Sequence, residues 1–142
     1  MEESKTPITL KGKRRGYNAE RKLVKLLSKK EGNYVFRVPV SGSRASPKSN
    51  VALPDVFLVN NIEDRIVAFE VKCTSNNRVK VPRSQVVKLF KFLNAFKKYK
   101  KREAVIAVWF FEEKKWIFKK VCEEISINDV IVKKDETSNW SP

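Results

Sequence analysis

Asp55 follows Pro54 at the head of one short apolar run, and Glu70 and Lys72 stand two apart near the end of the next. Two carboxylates that share a hard divalent cation, with an ammonium to orient or deprotonate water, are the groups that metal-assisted phosphodiester hydrolysis requires. Side chains alternate faces along a strand. Glu70 and Lys72 therefore point one way and Val67, Phe69 and Val71 the other, giving one chemical face and one buried face. The runs 55–59 and 66–73 are joined by Asn60-Asn61 and a short polar turn, which reads as a hairpin. Pairing near its open end brings Asp55 beside Glu70, and an ion such as Mg²⁺ removes their repulsion. Alone, an E-x-K triplet is most often a polar strand face and a Pro-Asp pair a strand start. The combination is what points to a site.

A third acid belongs to the element before them. Glu20 lies on a helical pattern from Tyr17 whose Ala19, Leu23, Leu26 and Leu27 form one apolar stripe, with Gly32 as a stop signal. A lone acid on a basic helix is usually a surface ion-pair partner. Glu20, however, sits at the edge of the buried stripe, where it can reach over a packed sheet toward the metal.

The surrounding charge names the substrate class. The 142 residues carry a net +15, and it is segregated: residues 4–62 hold thirteen Lys or Arg against Glu20, Glu31 and Asp55, while residues 71–102 hold eleven and no acid. A basic surface that only maintains solubility is the ordinary explanation of such an excess. Here a polyanion partner is favoured, with nucleic acid first because aromatics make up 11% of the chain. There is no histidine, which excludes Ser-His-Asp and Cys-His nucleophiles, HEXXH zinc chemistry and a histidine base. Cys73 and Cys122 are too few for a disulfide framework or a zinc site, and each is expected as a small core residue at a strand end. No apolar run approaches the roughly eighteen residues of a membrane span, and no signal peptide follows Met1, so a cytoplasmic protein is expected.

Along the chain, residues 1–16, with Lys11, Lys13, Arg14 and Arg15 closely spaced and two glycines interrupting, read as a basic flexible arm that contacts DNA. Val35, Phe36, Val38 and Val40 read as a strand, and residues 41–53 as a polar loop with Arg44 and Lys48 as further DNA contacts. Residues 74–81 read as a second loop that carries Arg78 and Lys80 out of the sheet. Pro82 stands where a helix can begin, and Val86, Val87, Leu89, Phe90, Leu93 and Phe96 give it a broad apolar stripe. Residues 104–111 and 116–122 read as a last strand pair, and residues 135–142 as an unstructured tail. This order predicts a single α/β nuclease domain, residues 17–134, with a mixed central β-sheet flanked by helices.

Pro54-Asp55, fourteen intervening residues and then Glu70-Val71-Lys72 resemble the PD-(D/E)xK nuclease motif, and so a restriction-endonuclease-like core. More specifically, the ordered set Asn18-Ala19-Glu20-Arg21, Phe36-Arg37-Val38-Pro39 with Ser41-Gly42-Ser43, the nuclease motif itself, and Gln85-Val86-Val87-Lys88-Leu89 with Phe92 and Phe96 resembles the archaeal-type Holliday junction resolvases from about Gly12 to Phe111. The resemblance implies a homodimeric, Mg²⁺-dependent endonuclease, with Mn²⁺ as the alternative ion, that makes paired cuts in four-way junction DNA. It implies Glu20, Asp55 and Glu70 as the acidic site, Lys72 as the catalytic lysine, Ser41 as a loop serine near it, and Arg21 and Arg37 as DNA contacts. Phe92 and Phe96 match aromatic positions of the dimer helix, although plain core packing explains them nearly as well. A two-fold dimer also suits two symmetric cuts. Two other readings stay open: a non-catalytic DNA-binding or architectural protein, and a nuclease of the same chemistry acting on another DNA, as a repair or restriction-like enzyme.

Overall fold

A computed structural model describes residues 5–39, 52–123 and 128–142, the first nine of them as backbone. Helix α1 spans Lys5–Leu27 and strand β1 Asn33–Arg37. Strands β2 (Val56–Asn60), β3 (Arg65–Thr74) and β4 (Arg78–Val81) lead to helix α2 (Arg83–Leu93), and β5 (Lys101–Phe110), β6 (Lys115–Val121) and β7 (Val130–Lys133) complete the chain. The main sheet runs β1-β2-β3-β5-β6. Its β3–β5 pair is parallel and its other pairs antiparallel, which is the mixed α/β sheet expected.

The β2–β3 hairpin sets the register that matters. Val56 pairs with Phe69 and Asn60 with Arg65, so the open end carries Asp55 next to Glu70. At the closed end the buried Asn60 holds the turn by accepting from the Glu63 N–H at 3.0 Å, and it donates to Asn33 Oδ1 on β1 at 2.8 Å. Gly32, at φ 88°, approaches the same turn so closely that a Cβ would lie 2.8 Å from Ile62 Cδ1. The left-handed backbone angle is what favours glycine there, since the exposed Ile62 side chain can move aside.

Both faces of β3 are covered. Ala19, Leu23 and Leu27 of α1 pack against Val67, Phe69 and Val71, while Val86, Leu89 and Leu93 of α2 pack against Ile66 and Ala68. Each large side chain buried in this way contributes about 1.5–3 kcal/mol. The expectation of one buried and one chemical face on this strand is thus corrected. Parallel pairing to β5 puts β3 in the middle of the sheet, and only Lys72–Thr74 emerge partly from cover.

Further expectations change. Residues 5–16 continue helix α1 and are not a separate arm. Gly12 and Gly16 each cost a helix about 1 kcal/mol, but extension from turns already docked on the sheet needs no new nucleus. Part of the expected loop 74–81 is β4, which pairs with β7 in a small second sheet and buries Val81, Val130 and Val132 beneath α2. The segment 135–142 has no helix or strand but is docked: Ser138 and Asn139 bond the backbone of Phe118 and Lys120, and Trp140 is buried against Phe69 and Phe118. The expectation of two core cysteines is also corrected: Cys122 is exposed where the chain leaves β6, and Cys73 is half-buried at the end of β3 that emerges from cover. No helix among the described residues is long and apolar enough to cross a membrane.

Candidate active site

The end of the β2–β3 hairpin fixes Asp55 by its backbone as well as its side chain. Its N–H donates to Phe69 O at 3.0 Å and its carbonyl accepts from Val38 N–H at 2.9 Å. Its carboxylate Oδ2 accepts from the Val71 N–H at 2.9 Å. The acid is thus tied to the strand segment that carries Glu70 and Lys72.

Glu70 is 4% exposed, and its Oε2 lies 3.3 Å from Lys72 Nζ. Its Oε1 is buried without a hydrogen-bond partner among the described residues. Burial, and then the charge of Asp55, push the Glu70 carboxyl up to about 7, against the opposing pull of Lys72 and Lys88. An unpartnered carboxylate oxygen in a buried site is costly unless a cation meets it. This is the property that a metal ligand has before its ion arrives.

Glu20 reaches the same end from α1 but is already engaged. Arg37 Nε donates to its Oε1 at 2.8 Å, and the guanidinium also stacks over the Tyr17 ring with 4.9 Å to the centroid. Burial and then the Asp55 charge raise the Glu20 pKa, while Arg37 lowers it. The charge of Asp55 thus acts on both glutamates. Among the described residues no three acidic, cysteine or histidine side chains are grouped tightly enough to hold one ion. Asp55 and Glu70 are the pair brought together, and Glu20 is an ion-paired neighbour.

Of the basic residues expected on DNA, Arg14, Arg15, Arg21 and Arg78 are exposed, and Arg15 lies over Phe111 with 4.5 Å to the ring centroid. Lys80 is exposed but paired with Asp129 at 3.3 Å. Lys11 and Lys13 lie on α1, where only the backbone is described, and Ser41, Arg44 and Lys48 lie outside the described residues. Phe92 and Phe96 are partly buried in a run of ring contacts, Phe36–Phe57–Phe92–Phe96, with centroids 4.9–5.4 Å apart. Phe36 is 47% exposed at the end of that run, on the edge strand β1.

Two residues of α2 were not singled out as site residues from sequence. Lys88 lies near enough to act on the Glu70 charge, and the buried Oε1 of Gln85 lacks a partner among the described residues. Their spacing of three, one helical turn, was the available signal.

A family model for archaeal Holliday junction resolvase (Hjc) matches residues 11–139. The crossover junction endodeoxyribonuclease Hje of Sulfolobus acidocaldarius is 39% identical over 122 residues, which is 86% of this chain and 78% of that protein. The protein of the same name from Saccharolobus solfataricus is 35% identical over 86% of this chain and 81% of its own. The solved structure of Hjc, a Holliday junction resolvase from Archaeoglobus fulgidus, superposes with a TM-score of 0.60 at 27% identity, covering 81% of this chain and 84% of that one. With a family model spanning most of its length and relatives above a third identical, the chain belongs to the archaeal Holliday junction resolvase family.

Proposed function

We propose that this protein is a structure-specific endonuclease that resolves four-way DNA junctions in the cytoplasm, working as a homodimer with a divalent ion. The observation that carries the reading is the Asp55–Glu70 pair, with one buried carboxylate oxygen unpartnered and an ammonium alongside, in a chain of net charge +15.

The residues fit the ion. Glu70 Oε1 has no other partner among the described residues, and Asp55 has one carboxylate oxygen beyond the one held by Val71. All-oxygen ligation by two carboxylates, with water completing the shell, suits Mg²⁺ or Mn²⁺. A divalent ion held there would supply Lewis-acid stabilisation of the charge that develops on the phosphate. Lys72, at the partly exposed end of β3, is placed to orient water and to offset that same charge. Arg37 holds Glu20 at the rim and keeps a second guanidinium edge for phosphate. Exposed arginines on α1 and β4 supply the general attraction to DNA.

The aromatic run that ends in the exposed Phe36 supports the dimer. It places apolar surface beside Phe92 and Phe96, where a second copy can cover it and hold two sites at a fixed separation.

The test is a labelled four-way junction incubated with Mg²⁺ or EDTA and with wild type, Asp55→Ala or Glu70→Ala. Cutting is expected only for wild type with Mg²⁺, while both variants keep binding. Cleavage by both variants would remove the site assignment. Binding without any Mg²⁺-dependent cleavage would leave an architectural protein. Equal cutting of a linear duplex would point to a nuclease for another DNA.

A further inference from the structure

At the opposite end of the sheet, where β3 and β5 begin, lies a cavity of about 700 Å³ that includes neither Asp55 nor Glu70. Its lining carries six cations, two acids and no aromatic ring. Both acids are already neutralised. Glu63 is held by Lys30 at 2.8 Å and Arg65 at 3.4 Å, and Glu103 by Arg65 at 2.7 Å and Lys120 at 3.2 Å. Lys100, Lys101 and Arg102 make no ion pair among the described residues. Even with a carboxylate counted at Pro142, which also lines the cavity, positive charge exceeds negative by three.

The three free cations stand on a fixed frame. The Lys101 N–H donates to Asp64 O at 3.1 Å, and the neighbouring Tyr99 hydroxyl reaches Asn61 Oδ1 at 3.1 Å, so the start of β5 is tied to the β2–β3 turn. Beneath them Arg65 is 9% exposed, stacked on Trp140 with 5.1 Å to the ring centroid. Like charges gathered in a concave site repel one another, and a polyanion removes that repulsion and releases counterions. With no aromatic ring, one proline and a lining otherwise polar or charged, the cavity is suited to anionic oxygens rather than to a base or an acyl chain.

We propose that this cavity is a second phosphate-binding site, which holds the backbone of a junction arm away from the point of cleavage. The proposal rests on the junction-resolving function. Arg65 and Glu70 are five residues apart on one strand, about 17 Å, which is roughly five base pairs of duplex. An arm of ordinary length therefore reaches both ends of the sheet.

The experiment compares wild type with the triple variant Lys100→Gln, Lys101→Gln, Arg102→Gln. Binding to a four-way junction is measured without divalent ion from 50 to 200 mM salt, alongside titration of each protein with tripolyphosphate. The salt slope of the variant is expected to be shallower by about 2 to 3, at about 0.9 per lost phosphate contact. Its cutting rate at saturating protein is expected to be unchanged. An unchanged slope, with wild-type binding steep as expected, overturns this site alone. An unchanged slope with tripolyphosphate binding that the variant loses overturns the DNA assignment in favour of a free polyphosphate. Absence of junction binding by wild type would sink the junction reading, and this proposal with it.

Discussion

The Asp55 carboxylate and the Val71 amide are joined at 2.9 Å, so the first acid of the site is fastened to the strand that carries the second. Asp55→Asn keeps an oxygen that can accept this bond and loses the charge, whereas Asp55→Ala loses both. Both are expected to lower cutting by at least about a hundredfold. Only the alanine variant is expected to lose a further 1–2 kcal/mol or so of stability in urea melts, from the orphaned amide. Equal stability of the two variants would mean that the bond does not hold the hairpin end.

Glu70 makes the metal-free protein sensitive to pH in an unusual window. Its proton is retained to about 7 in the folded state, against an ordinary value of 4.5. Between those values the folded chain binds more protons than the unfolded one, so stability falls as pH rises, by roughly 3 kcal/mol in all. With no histidine in the chain, no other side chain of ordinary pKa titrates strongly there. Urea melts in EDTA at pH 5 and pH 8 are expected to show this loss for wild type and a clearly smaller one for Glu70→Gln, in which Glu20, also raised by burial and by Asp55, still contributes in the same direction. An equal fall in both proteins would assign the effect elsewhere.

Arg37 and Glu20 form a half-buried pair at 2.8 Å, so the arginine has work inside the protein as well as any on DNA. A double-mutant cycle of Arg37→Ala and Glu20→Gln is expected to give a coupling of about 1 kcal/mol in thermal unfolding. Additive effects would mean that the pair contributes nothing and that Arg37 acts on DNA alone.

Phe92 and Phe96 are the positions expected at the dimer interface, and the exposed Phe36 ends the same run of ring contacts. Phe36→Lys, which adds charge at an exposed ring and leaves the core untouched, is expected to convert a dimer to a monomer in sedimentation. A dimer of undiminished affinity would place the interface on another face.

Trp140 packs on Phe69 and Phe118, and its indole N–H donates to Glu103 at 3.1 Å. Trp140→Ala is expected to cost about 3–5 kcal/mol, read by circular dichroism during unfolding. A loss below about 1 kcal/mol would return the segment 135–142 to the status of a loose tail.

The hairpin and its acids were legible in the sequence because alternation, a polar turn and two carboxylates at its open end all agree on one register. Glu20 was placed at the right end of the sheet, but its ion pair was not legible. Arg37 lies seventeen residues away, and only the packing of α1 across β1 brings the two together. The β4–β7 sheet was hidden because four-residue strands some fifty residues apart carry no local pairing signal. The docking of Ser138, Asn139 and Trp140 was hidden for a related reason. A polar segment with a single tryptophan has no period to read, and its partners belong to β3, β5 and β6. The first turns of α1 were masked by two glycines, which read as breaks when judged locally.

Strand β3 is flanked on both edges and covered on both faces, with Arg65 at its first position and Glu70 five steps on. Such a segment acts as a ruler. The offset between the chemistry at one pole and the cationic hollow at the other is set by backbone that cannot stretch, so where this protein grips and where it cuts are dimensions of a single rigid part.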